Sequence, residues 1–365
     1  MRTLYESLLD INDVESSLGP IAMINNWCED NVNGQYVIDE ETLEINSPGG
    51  ISIINKKLVE FPSYIHFGTV RGDFSCSNCD SLKSLKGVPK EVGGDFVCNY
   101  CNSLTSLEGA PEKVSGGFYC DGCTSLKSLE GAPKKSVKDF YCDGCTSLKS
   151  LEGAPQKVDK NFSCCDCTSL KSLEDAPEEV SGSFYCGHCA SLKSLEGAPK
   201  KVDGDFYCDN CASLTTLKGA PKEVGNGFNC YDCDLLKSLE GAPQKVGGSF
   251  SCSNCDSLES IVGAPKEVDM NFYCNFCISL KSLEGAPEKV GMNFGCGGCS
   301  SLTSLKGAPK EVGRNFGCMS CTSLTSLEGS PRVIGKDFSC NGCSSLTSLK
   351  GISEHIKGKI HSDIK

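Results

Sequence analysis

Phe206-Tyr207-Cys208-Asp209-Asn210-Cys211-Ala212-Ser213-Leu214-Thr215-Thr216-Leu217-Lys218-Gly219-Ala220-Pro221-Lys222-Glu223-Val224 is one copy of a unit that recurs every 22 residues. The first Phe of the array is Phe74 and the last is Phe338, twelve whole periods apart without a slip, so thirteen copies fill the chain to about Leu349. The consensus is F-x-C-x-x-C-x-S-L-x-S-L-x-G-A-P-x-x-V-x-x-x. A fixed period of this size means a solenoid, in which each unit buries its apolar residues only against its neighbours. Within the unit, Phe206 and Cys208 alternate with more polar residues, the period-two pattern of a short strand with one buried face. The pair between the cysteines is turn-prone, as at Asp121-Gly122, Asp143-Gly144, Asn341-Gly342, Ser77-Asn78 and Ser253-Asn254. Leu214 and Leu217 then return to the core, and Gly-Ala-Pro ends any helical tendency before Val224 closes the coil. Each unit is expected to give Phe, two Cys, two Leu, Pro and Val to one stacked core.

The order V-x-x-x-F-x-C-x-x-C-x-x-L-x-x-L-x-G-x-P resembles the short bacterial and phage type of leucine-rich repeat. In that family a strand L-x-V-x-x-N precedes L-T-x-L-P. The resemblance covers all thirteen units and implies one short parallel strand per coil, mostly β and loop. It departs at the cysteines, where the family more often has an aliphatic residue and Asn. The Leu4-Tyr5-Glu6-Ser7 start is similar to that of phage repeat proteins, which implies a phage origin and a host cytoplasm.

Four segments are expected. Residues 1–50 form a small α/β N-terminal cap, with helix-like spacing at Leu4–Leu9 and Ile21–Trp27 and short strands at Tyr36–Ile38 and Leu43–Ile45. Residues 51–73 are a degenerate, cysteine-free first repeat, with Ile51 in the Phe column, Ile53 in the first-Cys column and Asn55 beside the second. Residues 74–351 are the thirteen repeats, and 352–365 a C-terminal cap around Ile352, Ile356 and Ile360. Exposed solenoid ends need such covers.

Composition narrows the function. The net charge of −12 is uneven: residues 1–70 hold eleven acidic and three basic groups, the remainder 36 and 32. No basic stripe is visible, which argues against nucleic acid and anionic membranes as partners. The start MRTLYESLLD lacks a basic region followed by an apolar stretch, so a cytoplasmic protein is expected.

Of 28 cysteines, 26 form the thirteen CxxC pairs, leaving Cys28 and Cys165. Three readings are open. The favoured one is two ladders of buried thiols. Disulfides fit poorly, because coils about 4.8 Å apart exceed the separation of bridged Cβ atoms. The remaining alternative is a zinc or iron–sulfur site from adjacent pairs, such as Cys120 and Cys123 with Cys142 and Cys145, or Cys186 and Cys189 with Cys208 and Cys211. No cofactor is expected on the favoured reading. Cys165 follows Cys164 at an outward position and is expected at the surface.

The outward strand positions carry Tyr119, Tyr141, Tyr185, Tyr207 and Tyr273, beside Asp121, Asp143 and Asp209 in the following turns. Tyrosine suits interfaces because it buries a rigid area and keeps a polar tip. The four histidines, His66, His188, His355 and His361, have no partner at motif spacing, and no GxSxG, P-loop or HExxH occurs. The expected function is therefore a non-enzymatic scaffold offering a Tyr/Asp-lined strand face to a protein partner. The alternatives are the metal–thiolate solenoid and a structural rod about 60 Å long.

Overall fold

In the computed structural model the described residues are 19–135 and 137–364. They form two compact units, one reaching Cys167 and including Asp175–Pro177, the other made of Thr168–Glu174 and Glu178 onward. Both are built from the same coil, and each is a solenoid of parallel strands. The expected Leu4–Leu9 helix lies outside the described residues.

Each regular coil holds two strands of two residues, not one. The first begins at the Phe. In the first unit Phe74–Ser75, Phe96–Val97, Phe118–Tyr119, Phe140–Tyr141 and Phe162–Ser163 pair in parallel, Phe opposite Phe. In the second unit the same register runs from Phe184–Tyr185 to Phe338–Ser339. The second strand ends at the Val, as in Lys245–Val246 beside Glu267–Val268. Burying Val224 obliges the adjoining backbone to find partners, and the Gly225 N–H donates to the Val202 carbonyl of the preceding coil.

The Phe rings stack along each unit, 5.1–5.9 Å apart from Phe74 to Phe162 and 5.2–5.5 Å apart from Phe184 to Phe338. These spacings exceed the roughly 4.8 Å between strands, so the rings are offset, the favoured arrangement for parallel aromatics. Leu214 and Leu217 are fully buried beside them, with Cys208 and Cys211. The glycine of Gly-Ala-Pro is required twice over. Gly219 has φ +96, and a Cβ there would lie 2.4 Å from the Leu195 carbonyl. At one coil Asp175 takes this place with φ 65, a left-handed conformation that aspartate tolerates better than most residues.

The degenerate coil falls into register: Ile51–Ile53 pairs with Phe74–Ser75, Ile51 opposite Phe74, and Ile53 is buried. Ahead of it, helix α1 (Pro20–Asn31) starts on a proline, which has no N–H to leave unsatisfied in the first turn. It buries Met23, Ile24 and Cys28, and Trp27 lies 6.1 Å from Phe61. Short strands follow at Val37–Ile38 and Ile45–Ser47, paired antiparallel. At the other end, residues 352–364 take the form of one further coil: Ile356 lies opposite Ile334, and Ile360 opposite Phe338. One coil is irregular, because Val137 stands three residues before Phe140 rather than four, and among the described residues it makes an isolated bridge to Val158. Among the described residues no helix is long and apolar enough to cross a membrane.

Candidate functional site

The CxxC columns were the first candidate chemistry. Every described cysteine is a thiol rather than a half-cystine, and all but Cys165 are buried. The two columns do different work. The second cysteine of a coil donates to the carbonyl of the first cysteine one coil back: Cys123 Sγ to Cys98 O at 3.2 Å, Cys145 to Cys120 at 3.3 Å, Cys211 to Cys186 at 3.3 Å, Cys233 to Cys208 at 3.3 Å. The first cysteine donates forward, Cys120 Sγ to Tyr141 O, Cys142 Sγ to Ser163 O and Cys208 Sγ to Asn229 O at 3.3–3.4 Å. Those carbonyls already accept a backbone N–H, so the first column adds packing more than satisfaction. The second column therefore ties each turn to the coil before it. Ahead of the array the Asn55 carbonyl accepts Cys79 Sγ, and the Asn55 amide donates to the Asn31 side chain.

The sulfurs of Cys120, Cys123, Cys142, Cys145, Cys208 and Cys211 point at carbonyl oxygens, and no group of three or more His, Cys, Asp or Glu among the described residues is placed to hold an ion. Cys186 and Cys189 are likewise buried in the stack. Burial pushes Cys208 and Cys230 far above the ordinary thiol range, and Cys79 and Cys233 up to about 12, whereas the hydrogen bond to Cys318 brings Cys343 down to about 7.

The outward face is built by the same strands. Tyr119 and Tyr141 lie edge to face with ring centres 5.4 Å apart in the first unit, and Tyr185 and Tyr207 stack at 5.4 Å in the second. Tyr273 stands alone between Ser251 and Gly295. All five are half-buried. Burial, then the nearby carboxylates of Asp95 and Asp139, pushes Tyr119 up to about 12; burial, then Asp205, raises Tyr207. The Tyr119 and Tyr207 phenols are therefore neutral over the usable pH range.

The aspartates are less outward than their position in the strand implies. Asp121 accepts the Asp143 N–H at 3.0 Å and the Asn99 amide at 3.1 Å, and Asp143 accepts the Cys165 N–H at 2.8 Å. Each carboxylate ties its turn to the next coil. Burial raises both, Asp121 to about 6. Asp209 instead faces His188, 3.7 Å away. Cys165 is half-buried and makes contact with Ser163.

Sequence reasoning missed the second residue of the CxxC turn. It has positive φ in every coil, satisfied by Gly, Asn or Asp in most, yet held by Tyr100 (φ 58), His188 (φ 58), Phe276 (φ 59) and Ser320 (φ 59) in four. The signal was an aromatic between two cysteines where turn residues are the rule. With Tyr231, Asp232 and Ile278, Phe276 lines an open groove in the second unit.

No family model matches the chain, and no curated protein does. Among solved structures, the chain is similar to the crystal structure of a leucine-rich repeat protein from Bacteroides ovatus ATCC 8483, with 17% identity over 90% of this chain and 89% of that one, and a TM-score of 0.46.

Proposed function

We propose that this chain is a non-enzymatic protein-interaction scaffold of the short bacterial and phage type of leucine-rich repeat, working in a cytoplasm. Its contact face is the outward side of the Phe strands, with Tyr119 and Tyr141 in one unit and Tyr185, Tyr207 and Tyr273 in the other. The observation that carries the reading is the pairing of half-buried tyrosines ring against ring on an in-register backbone. Such a pair is already ordered, so a partner gains a large amphipathic contact with little loss of side-chain freedom. The net charge of −12 favours a protein, and a basic one, over nucleic acid or an anionic bilayer. Asp121 and Asp143 are assigned chiefly to holding the turns, and Asp209 to the rim of the face.

The test is photo-crosslinking from positions 141 and 207 in the native host, followed by titration of the captured protein. Tyr141→Ala and Tyr207→Ala are expected to weaken it by about tenfold or more each, as interface aromatics do. A partner held equally well by both variants, with their folds intact by circular dichroism, would remove the Tyr face from the reading.

A further inference from the structure

The outward residues of the second unit change size abruptly around one coil. The coil beginning at Phe250 carries Ser251 and Ser253, while its neighbours carry Tyr231 on one side and Tyr273 and Phe276 on the other. The result is an open groove of about 920 Å³ floored by the two serines and walled by aromatic rings. Its flanking coils are two strand spacings apart, roughly 10 Å, enough for one side chain between the walls.

Phe276 gives the groove its largest apolar surface. It sits at φ 59, where Asn210 and Asn254 hold the same turn at φ 54 and 59, and its ring is 60% exposed. A bulky residue there is strained, and most of its ring is left open to a partner. Its ring lies over Gly298, where an added Cβ would come within 2.4 Å of it, which fixes its orientation. Ile278, 46% exposed, extends the apolar wall. The groove is also strongly acidic. Asp232, Asp234 and Asp256 line it, and no Lys, Arg or His does.

We infer that this groove binds an arginine side chain of a protein segment lying along the strand face. A guanidinium is planar, stacks on aromatic rings and forks to carboxylates, and its aliphatic stem suits Ile278. The inference rests on the protein-binding reading but uses a separate set of residues, sharing only Tyr273.

The probe is fluorescein-labelled acetyl-Gly-Ser-Ala-Arg-Ala-Ser-Gly-amide, with matched peptides carrying Lys, Gln or Glu at the centre, titrated against the full chain by anisotropy. The Arg peptide is expected to bind saturably, about tenfold or more tighter than the Gln peptide, with Lys between them and weakening on going to about 0.3 M salt. Phe276→Asn copies the neighbouring turns, so it is expected to fold with an equal or higher thermal midpoint and to lose about tenfold in affinity. Asp234→Asn should also weaken the Arg peptide, and Tyr141→Ala should not. Arg and Gln peptides bound within about twofold, no saturation below about 1 mM, or wild-type binding by Phe276→Asn would each overturn the assignment. A partner crosslinked at position 141 or 207 by a chain that ignores the Arg peptide would refute the groove alone.

Discussion

The two strand ladders of the second unit solve the same stacking problem in opposite ways. Along the Phe strands like sits on like: seven consecutive ring contacts, Phe184 to Phe338, at 5.2–5.5 Å. Along the Val strands the buried valines repeat, but the exposed residue alternates, with Glu179 opposite Lys201, Glu223 opposite Lys245, and Lys245, Glu267, Lys289 and Glu311 in succession. Apolar groups gain from meeting their copies, while like charges one strand spacing apart repel by about 1 kcal/mol even in water. A perfect 22-residue repeat is therefore favourable inside and unfavourable outside, and at the exposed position before each Val the sequence runs with a 44-residue alternation.

The largest effect is expected inside the coil. Phe228→Ala removes a fully buried ring from between Phe206 and Phe250, each 5.4 Å away, and should cost about 3–5 kcal/mol in urea unfolding at neutral pH. A loss below about 1 kcal/mol would mean that the stack is not the source of stability. The cysteine columns come next. Cys233→Ala leaves the Cys208 carbonyl without its thiol donor and should cost about 1–3 kcal/mol. Cys233→Asn, which restores a side-chain donor, should recover part of it; equal losses would show that the column is only packing.

A third variant tests a stack of like charges in the first unit, Asp121 on Asp143. Because burial raises the Asp121 carboxyl to about 6 in the folded chain, above its unfolded value, its favourable contribution is complete below about pH 4 and is lost as pH rises through 6. Asp121→Asn keeps an acceptor for the Asp143 N–H. It should stabilise by on the order of 1 kcal/mol at pH 7, discounted for partial exposure, and by nothing at pH 3.5. A stability gain independent of pH would contradict the charge argument. Smallest is Lys289→Glu, which would set three like charges in a row with Glu267 and Glu311 and lose its contact with Glu311 at 3.9 Å. About 0.5 kcal/mol is expected, fading in about 1 M salt.

How far the sequence could be read follows from the same contrast. The Phe column, the Leu pair and the turn between cysteines were legible because each repeats at one spacing and each has a local cause. The Ile51 coil was legible for the same reason, despite lacking cysteine. The Val strand was not, since two residues ending at Val224 have no period of their own and become a strand only when the next coil supplies partners. Asp121 was placed outward by alternation, correctly for its Cα, but its carboxylate turns along the stack to reach Asp143 N–H. Phe276 was passed over because its importance lies in a backbone angle and in the serines of the preceding coil.

By itself the sequence determined the coil, its register and the identity of the core, because a 22-residue period with invariant apolar columns admits one way of stacking like on like. Only the tertiary structure decided what the polar and sulfur groups do. Their partners lie 21 to 25 residues away, in the next coil or the one before: Cys211 finds the Cys186 carbonyl, Asp143 finds the Cys165 N–H, and Tyr185 finds Tyr207. A hydrogen bond depends on where an atom points within a few tenths of an ångström, and that is set by the neighbouring turn of backbone, not by the residue's own place in the repeat.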